Sequence, residues 1–256
     1  MSINIFDDNT NRSLITYINR SYSNMCSSLE KLSSGLKINR ASDGPAQLVI
    51  SEQLRSQIAS LNQQIENTSC LVHKYETASA NLTGYRNQLT ELRALAVGAA
   101  NEGFNSEEAQ QAYANAAESM VEYYNGAVAT ASYNGAALFD GGEGSVGELS
   151  ALSGIDLSSP EAAQASIEAI DAAAAELDAL QVDVGSTQRY ELESELASLR
   201  VTSQNLQAAE SSIRDTDYVT EFTNFLVEQM KFNAGLALLS YTTLSSTSVL
   251  NLLKSD

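Results

Sequence analysis

The chain has 256 residues, 43% of them hydrophobic, with two prolines, no tryptophan and a formal net charge of −18. That composition, with its apolar fraction held mostly by alanine and leucine, suits long helices in a thin bundle or coiled coil rather than a thick globular core. The acidity is concentrated, because residues 101 to 196 carry 18 acids and one base, and such a surface disfavours nucleic acid and anionic membrane as partners by repelling phosphate.

The opening "MSINIFDDNTNRSL" is polar and acidic, and no run of 18 apolar residues follows it. Neither a Sec-type signal nor membrane insertion is expected, so export would need another route. In the first arm Leu14, Ile18, Tyr22, Met25, Leu29, Leu32 and Leu36 fall close to a heptad seam. The stretch "LSSGLKINRASDGPAQ" breaks that helix near residue 40. Its polar and glycine residues stop one helix, and Pro45, following an Asp43 cap, starts the next.

The pattern resumes through Leu54, Ile58, Leu61, Ile65, Val72, Tyr75, Leu82, Tyr85, Leu89 and Leu92, a second helix of about 75 Å at 1.5 Å per residue. "ANEGFNSEEAQ" reads as a turn, with Gly103 ending one helix and Asn105 or Ser106 capping the next. That third helix, striped by Tyr113, Ala117, Met120, Tyr124 and Val128, is expected to run back antiparallel along the second. From Ser132 to Ser159 the helical period gives way to glycines and short apolar pairs, which suits a small hairpin. Ser158 or Ser159 before Pro160 and Glu161 opens a fourth helix. It is expected to reach about Ile213, with Ile167, Ile170, Leu177, Leu180, Tyr190, Leu196, Leu199 and Leu206 inward.

A second break, "SSIRDTDY", leads to a terminal arm bearing Val219, Phe222, Leu226, Leu236, Leu239, Leu244, Val249, Leu250, Leu252 and Leu253. The chain therefore reads as arm, break, bundle, break, arm. Its segments are an N-terminal helix 1–33, a break 34–46, a helix pair 47–131, a Gly-rich hairpin 132–159, a long helix 160–212, a break 213–218 and a C-terminal helix 217–256. Ser34, Gly35, Asn39, Asp43, Gly44, Pro45, Arg214, Asp215 and Asp217 make up the two joints.

No sequence feature nominates catalysis, a cofactor or a metal. Asp215 and Asp217 suit a helix start better than an acid–base pair. His73 stands beside Lys74 without a metal-ligand cluster and reads as a surface or seam residue. The glycines of "GGEGSVG" match no phosphate-binding spacing. Cys26 and Cys70 lie on either side of the first break and read as free, packed thiols. An arm of about 33 residues with one apolar stripe must offset ~1–2 kcal/mol of backbone entropy per residue. Two arms alone bury too little for that, so they are expected to order against arms of other copies.

At these residues a family resemblance emerges. "LEKLSSGLKINRASDGPAQLVISEQLRSQI" resembles the N-terminal signature of bacterial flagellin, and "AAESSIRDTDYVTEFTNF" with "TSVLNLLK" resembles its C-terminal one. The resemblance implies a mainly α, two-domain fold, in which the two arms line the filament tube and residues 47 to about 212 form the next shell. It also implies a minimal subunit without large outer domains, a non-enzymatic part of the secreted, extracellular flagellar filament. Implied partners are further copies of the chain, other flagellins, the type III export apparatus, a chaperone on the C-terminal arm, and hook-associated and cap proteins. A hook–filament junction protein is the alternative on the same arms. Two departures touch the segment that the innate immune receptor contacts: Glu91 stands where a base is usual and Ala116 where an acid is usual. Weak receptor activation is expected.

Overall fold

The computed structural model describes the backbone of residues 4–101 and 106–254, and the side chains of residues 9, 11–101 and 106–242. Its elements are α1 (Asn4–Ser34), α2 (Pro45–Ala99), α3 (Glu107–Thr130), β1 (Ser132–Tyr133), β2 (Ala136–Ala137), α4 (Pro160–Ser186), a π-helical turn (Thr187–Leu192), α5 (Glu193–Arg214) and α6 (Tyr218–Lys254). The chain divides into two compact units, residues 1–60 with 203–256, and residues 61–202.

In the second unit the local signals act as their chemistry dictates. The Ser106 hydroxyl accepts from Ala109 N at 3.2 Å to cap α3, whereas Gly103 and Asn105 lie outside the described residues. The Ser159 hydroxyl caps α4 through Ala162 N, with Pro160 at the first helical position, where no amide is needed. Helix α3 runs antiparallel to α2: the Tyr85 hydroxyl donates to Ala127 O at 2.9 Å, and Gly98 lies against Tyr113. Between β1 and β2, Asn134 and Gly135 take φ of 52° and 81°. That is the pair of left-handed residues a two-residue hairpin with native twist requires.

The core of this unit is built from Leu82, Leu89 and Leu92 of α2, Ala117 and Tyr124 of α3, Leu138 and Phe139 after the hairpin, and Ala163, Ile170, Leu177 and Val184 of α4. The irregular segment between the hairpin and α4 adds Val146, Leu149, Leu152 and Leu157. Each fully buried leucine contributes about 1.5–3 kcal/mol. Burying irregular backbone requires partners for its polar groups, and side chains supply them. The Asn125 amide holds both Leu152 N (2.7 Å) and Leu152 O (2.8 Å), and Gln110 Nε2 donates to Ala99 O and Leu157 O. Burial in this core pushes the Tyr124 phenol up to about 12, with smaller help from Glu176 and Tyr85.

One expectation is corrected here. The helix after Pro160 is interrupted by the π-turn, and Tyr190 points outward at 74% exposure instead of inward. The reason is register. Buried Ala163, Ile170, Leu177 and Val184 repeat every seven residues, and the next buried positions are Leu192 and Leu196. The turn inserts one residue, so the seam moves from the 191 position to Leu192 and Tyr190 is carried a further step away from it.

In the first unit α1 pairs with α6. Gly235 allows their close approach, since a Cβ there would stand 2.7 Å from Ile18 Cγ1. Cys26 and Cys70 are both free, but both are exposed rather than packed.

Candidate assembly surface and connecting joint

The α1 seam divides in two. Leu14, Met25 and Leu32 are half-buried and Ile18 is buried, but Ser21 and Ser28 fill the adjoining inward positions in place of larger side chains. Tyr22 and Leu29, expected in the same seam, are 53% and 48% exposed. Small serines bring α6 close and turn Tyr22 and Leu29 to the flank, where the Tyr22 ring lies 5.8 Å from that of Phe232, centroid to centroid. Ile15 is also exposed, so Ile15, Tyr22 and Leu29 form a second stripe of exact seven-residue spacing beside the filled one. Sequence reasoning passed over Ile15, although the spacing 15, 22, 29 carried the signal.

On α6, Leu239 is half-buried, whereas Val219, Phe222, Leu226 and Leu236 are exposed, as is Met230. Positions 219, 222, 226 and 230 follow the 3–4–4 spacing of one helical face. Val249, Leu250, Leu252 and Leu253 lie outside the residues with described side chains, as does Leu244. Lys31 of α1 reaches Glu221 of α6 at 3.8 Å, and Lys231 pairs with Glu228 along α6 at 2.9 Å.

The two breaks meet as one joint. Leu36 and Asp215 form a β-bridge, closed by Lys37 N donating to Arg214 O at 2.7 Å and Thr216 N donating to Gly35 O at 2.9 Å. Gly35 ends α1 at φ +73°, and the Tyr218 hydroxyl lies 2.7 Å from where its Cβ would be. Asn39 Nδ2 donates to Ser34 Oγ (2.8 Å) and Leu36 O (3.2 Å), while Ile38, 2% exposed, is the hydrophobic anchor of the turn. Asp43 does not cap α2 as expected. Its carboxylate turns back to accept from Asn39 N and Arg40 N, contacts that hold its carboxyl below the ordinary value, led by the Arg40 amide. Gly44 O receives Leu48 N instead, and Pro45 begins the helix.

On the other strand of the bridge, Arg214 reaches Glu52 of α2 at 2.8 Å, and Ser211 donates to Asp215 at 2.5 Å. Asp217 caps α6 through Val219 N, Thr220 N and the Thr220 hydroxyl. Asp215 and Asp217 are thus occupied by structural bonds. His73 is exposed, with Nδ1 3.0 Å from Glu76. Among the described residues no group of three His, Cys, Asp or Glu side chains is placed to hold a metal ion.

A pair of helical arms with outward apolar stripes is an arrangement suited to polymerisation. Residues 7–143 match the family model described as the bacterial flagellin N-terminal helical region, and residues 167–253 match the bacterial flagellin C-terminal helical region. The chain belongs to the bacterial flagellins. It is 33% identical to a flagellin of Halalkalibacterium halodurans, over 88% of this chain and 90% of that one. It is 29% identical to Flagellin FlaB1 of Treponema pallidum, over 88% and 91% of the two chains. A flagellin of Bacillus subtilis is 26% identical, over 96% and 99%. As a flagellin without a large insert, it is a structural, non-enzymatic subunit that polymerises with its own copies into the extracellular flagellar filament, for motility.

Proposed function

We propose that this flagellin packs into its filament through the exposed stripes of α1 and α6, with residues 1–33 and 217–256 forming the inner domain, residues 47–212 the surrounding shell, and 34–46 with 213–218 the joint between them. The observation that carries this reading is that Ile15, Tyr22, Leu29, Val219, Phe222, Leu226 and Met230 stay exposed once α1 and α6 have paired. Exposed apolar stripes of that kind mark an interaction site. Packing against arms of neighbouring copies removes it from water and supplies the burial that a two-helix pair lacks.

The same stripes suit the remaining partners that a flagellin subunit meets. An export chaperone shields the α6 stripe before the chain enters the type III export apparatus. Hook-associated and cap proteins, and other flagellins in a mixed filament, offer arms of the same kind.

The test is seeded polymerisation of purified monomer carrying Leu29→Asp with Phe222→Asp. Both positions are exposed, so the monomer is expected to keep its helical circular dichroism, while desolvating a carboxylate in a packed seam costs several kcal/mol and filaments should not form. Normal filament yield from the double variant counts against the stripes as assembly surfaces.

A further inference from the structure

The bundle unit carries a charge asymmetry that its own packing leaves unused. Arg189 is the one base between residues 101 and 196. On α2, Lys74 donates to Gly144 O, Arg86 pairs with Asp178, and Arg93 grips Asp171 with two nitrogens. Arg189, in contrast, is exposed on the π-turn with no ion-pair partner among the described residues, and Tyr190 beside it is similarly bare. A π-turn that carries an aromatic away from the seam, next in sequence to an unpaired guanidinium, builds a projecting knob.

A groove of opposite charge lies on the same unit. It has a volume of about 630 Å³ and is lined by Gln111, Asn115, Glu118 and Glu122 of α3, with Gly154 and Asp156 from the segment before α4. Glu118 and Glu122 stand four residues apart on one face, a like-charge pair that weakens an isolated helix, and α3 contains no base to relieve it. Asp156 adds a third carboxylate, kept ionised by the Ser158 hydroxyl and amide.

Knob and groove do not meet within one chain. The Gly98–Tyr113 and Tyr85–Ala127 contacts set residues 111–122 level with the 90s of α2. The Arg86–Asp178 pair sets residue 189 level with about residue 75. At 1.5 Å per residue the two lie roughly 25–30 Å apart along α2, far beyond an arginine's reach.

We propose that the Arg189–Tyr190 knob of one subunit docks into the Glu118–Glu122 groove of a second copy displaced along the bundle axis. Two different patches offset in this way make a heterologous contact, which repeats in an open series rather than closing as a dimer. The inference rests on the reading of the chain as a self-assembling subunit and assigns one contact of its shell, independent of the arm stripes.

The test measures the critical concentration for seeded polymerisation of the full chain in low salt. Arg189→Glu alone, and Glu118→Lys with Glu122→Lys, are each expected to raise it about tenfold or more, because like charges then face one another. Combining all three should bring it back to within about threefold of wild type. Arg189→Glu combined with Glu66→Lys and Glu210→Lys, which match the net charge away from the knob and the groove, should give no rescue. The contact is overturned if the single-sided variants assemble as wild type does, or if the off-site charges rescue equally well. If the wild-type chain itself does not polymerise, the underlying reading falls with it. Wild-type filaments with indifferent variants defeat this contact alone.

Discussion

Gly35 offers the sharpest test of the joint, because the Gly35→Ala substitution adds one methyl where two separate effects can be weighed. The first is conformational: at φ +73° an L side chain costs roughly 1–2 kcal/mol, partly offset by about 0.4–1 kcal/mol from a less flexible unfolded chain. The second is steric, with the new Cβ 2.7 Å from the Tyr218 hydroxyl. Tyr218 is more than half exposed, so its ring can swing aside at small cost. The backbone effect therefore dominates, at about 1 kcal/mol net. It falls on the bridge, since Gly35 O holds Thr216 N and the next residues hold Arg214 O. Native-state hydrogen exchange of the monomer should show the Lys37 and Thr216 amides exchanging about fivefold faster, as that free energy implies, with amides of the α2–α4 bundle unchanged. Adding Tyr218→Phe removes the clashing oxygen but leaves φ, so it should not restore protection. Full recovery in the double variant would refute the reasoning and make the joint a matter of packing rather than backbone handedness.

Leu177 is fully buried in the bundle, so Leu177→Ala should cost about 2–5 kcal/mol and lower the bundle's calorimetric melting temperature, whereas Tyr190→Ala should change it by no more than ~0.5 kcal/mol. Equal losses at the two sites would contradict the register shift at the π-turn. Asp217 is held below its ordinary 3.8, first by the Thr220 hydroxyl and then by the Thr220 and Val219 amides. A carboxyl lowered on folding lends its stability above the unfolded value and loses it as pH falls through the lowered one. Amide exchange at the start of α6 should therefore accelerate below about pH 4, and Asp217→Asn, which still caps but does not titrate there, should remove that acid-side step. Persistence of the step in the variant would place its origin elsewhere.

The helix order, the two breaks, the hairpin, Pro160 at a helix start and caps narrowed to Asn105 or Ser106 and to Ser158 or Ser159 could be read from the chain, because each depends on chemistry within a few residues. Even the outward stripe of α1 was written in the spacing of Ile15, Tyr22 and Leu29, once serines are allowed to serve as seam residues. The meeting of the two breaks was not legible. Leu36 and Asp215 are 179 residues apart, and only the tertiary fold brings their backbones into one bridge. Nor was the π-turn, since a helical period reads the same on either side of one inserted residue until a partner surface shows which face is buried. Asp43 makes the same point at short range. Its identity nominated a forward cap, but the turn around Ile38 presented two amides behind it, and the carboxylate went to them. The residues themselves set which segments are helical and where most of them start and stop, because hydrogen bonding and capping are local. Tertiary structure decided which apolar residues are satisfied inside the chain and which remain for a neighbour, because that depends on how closely two helices approach.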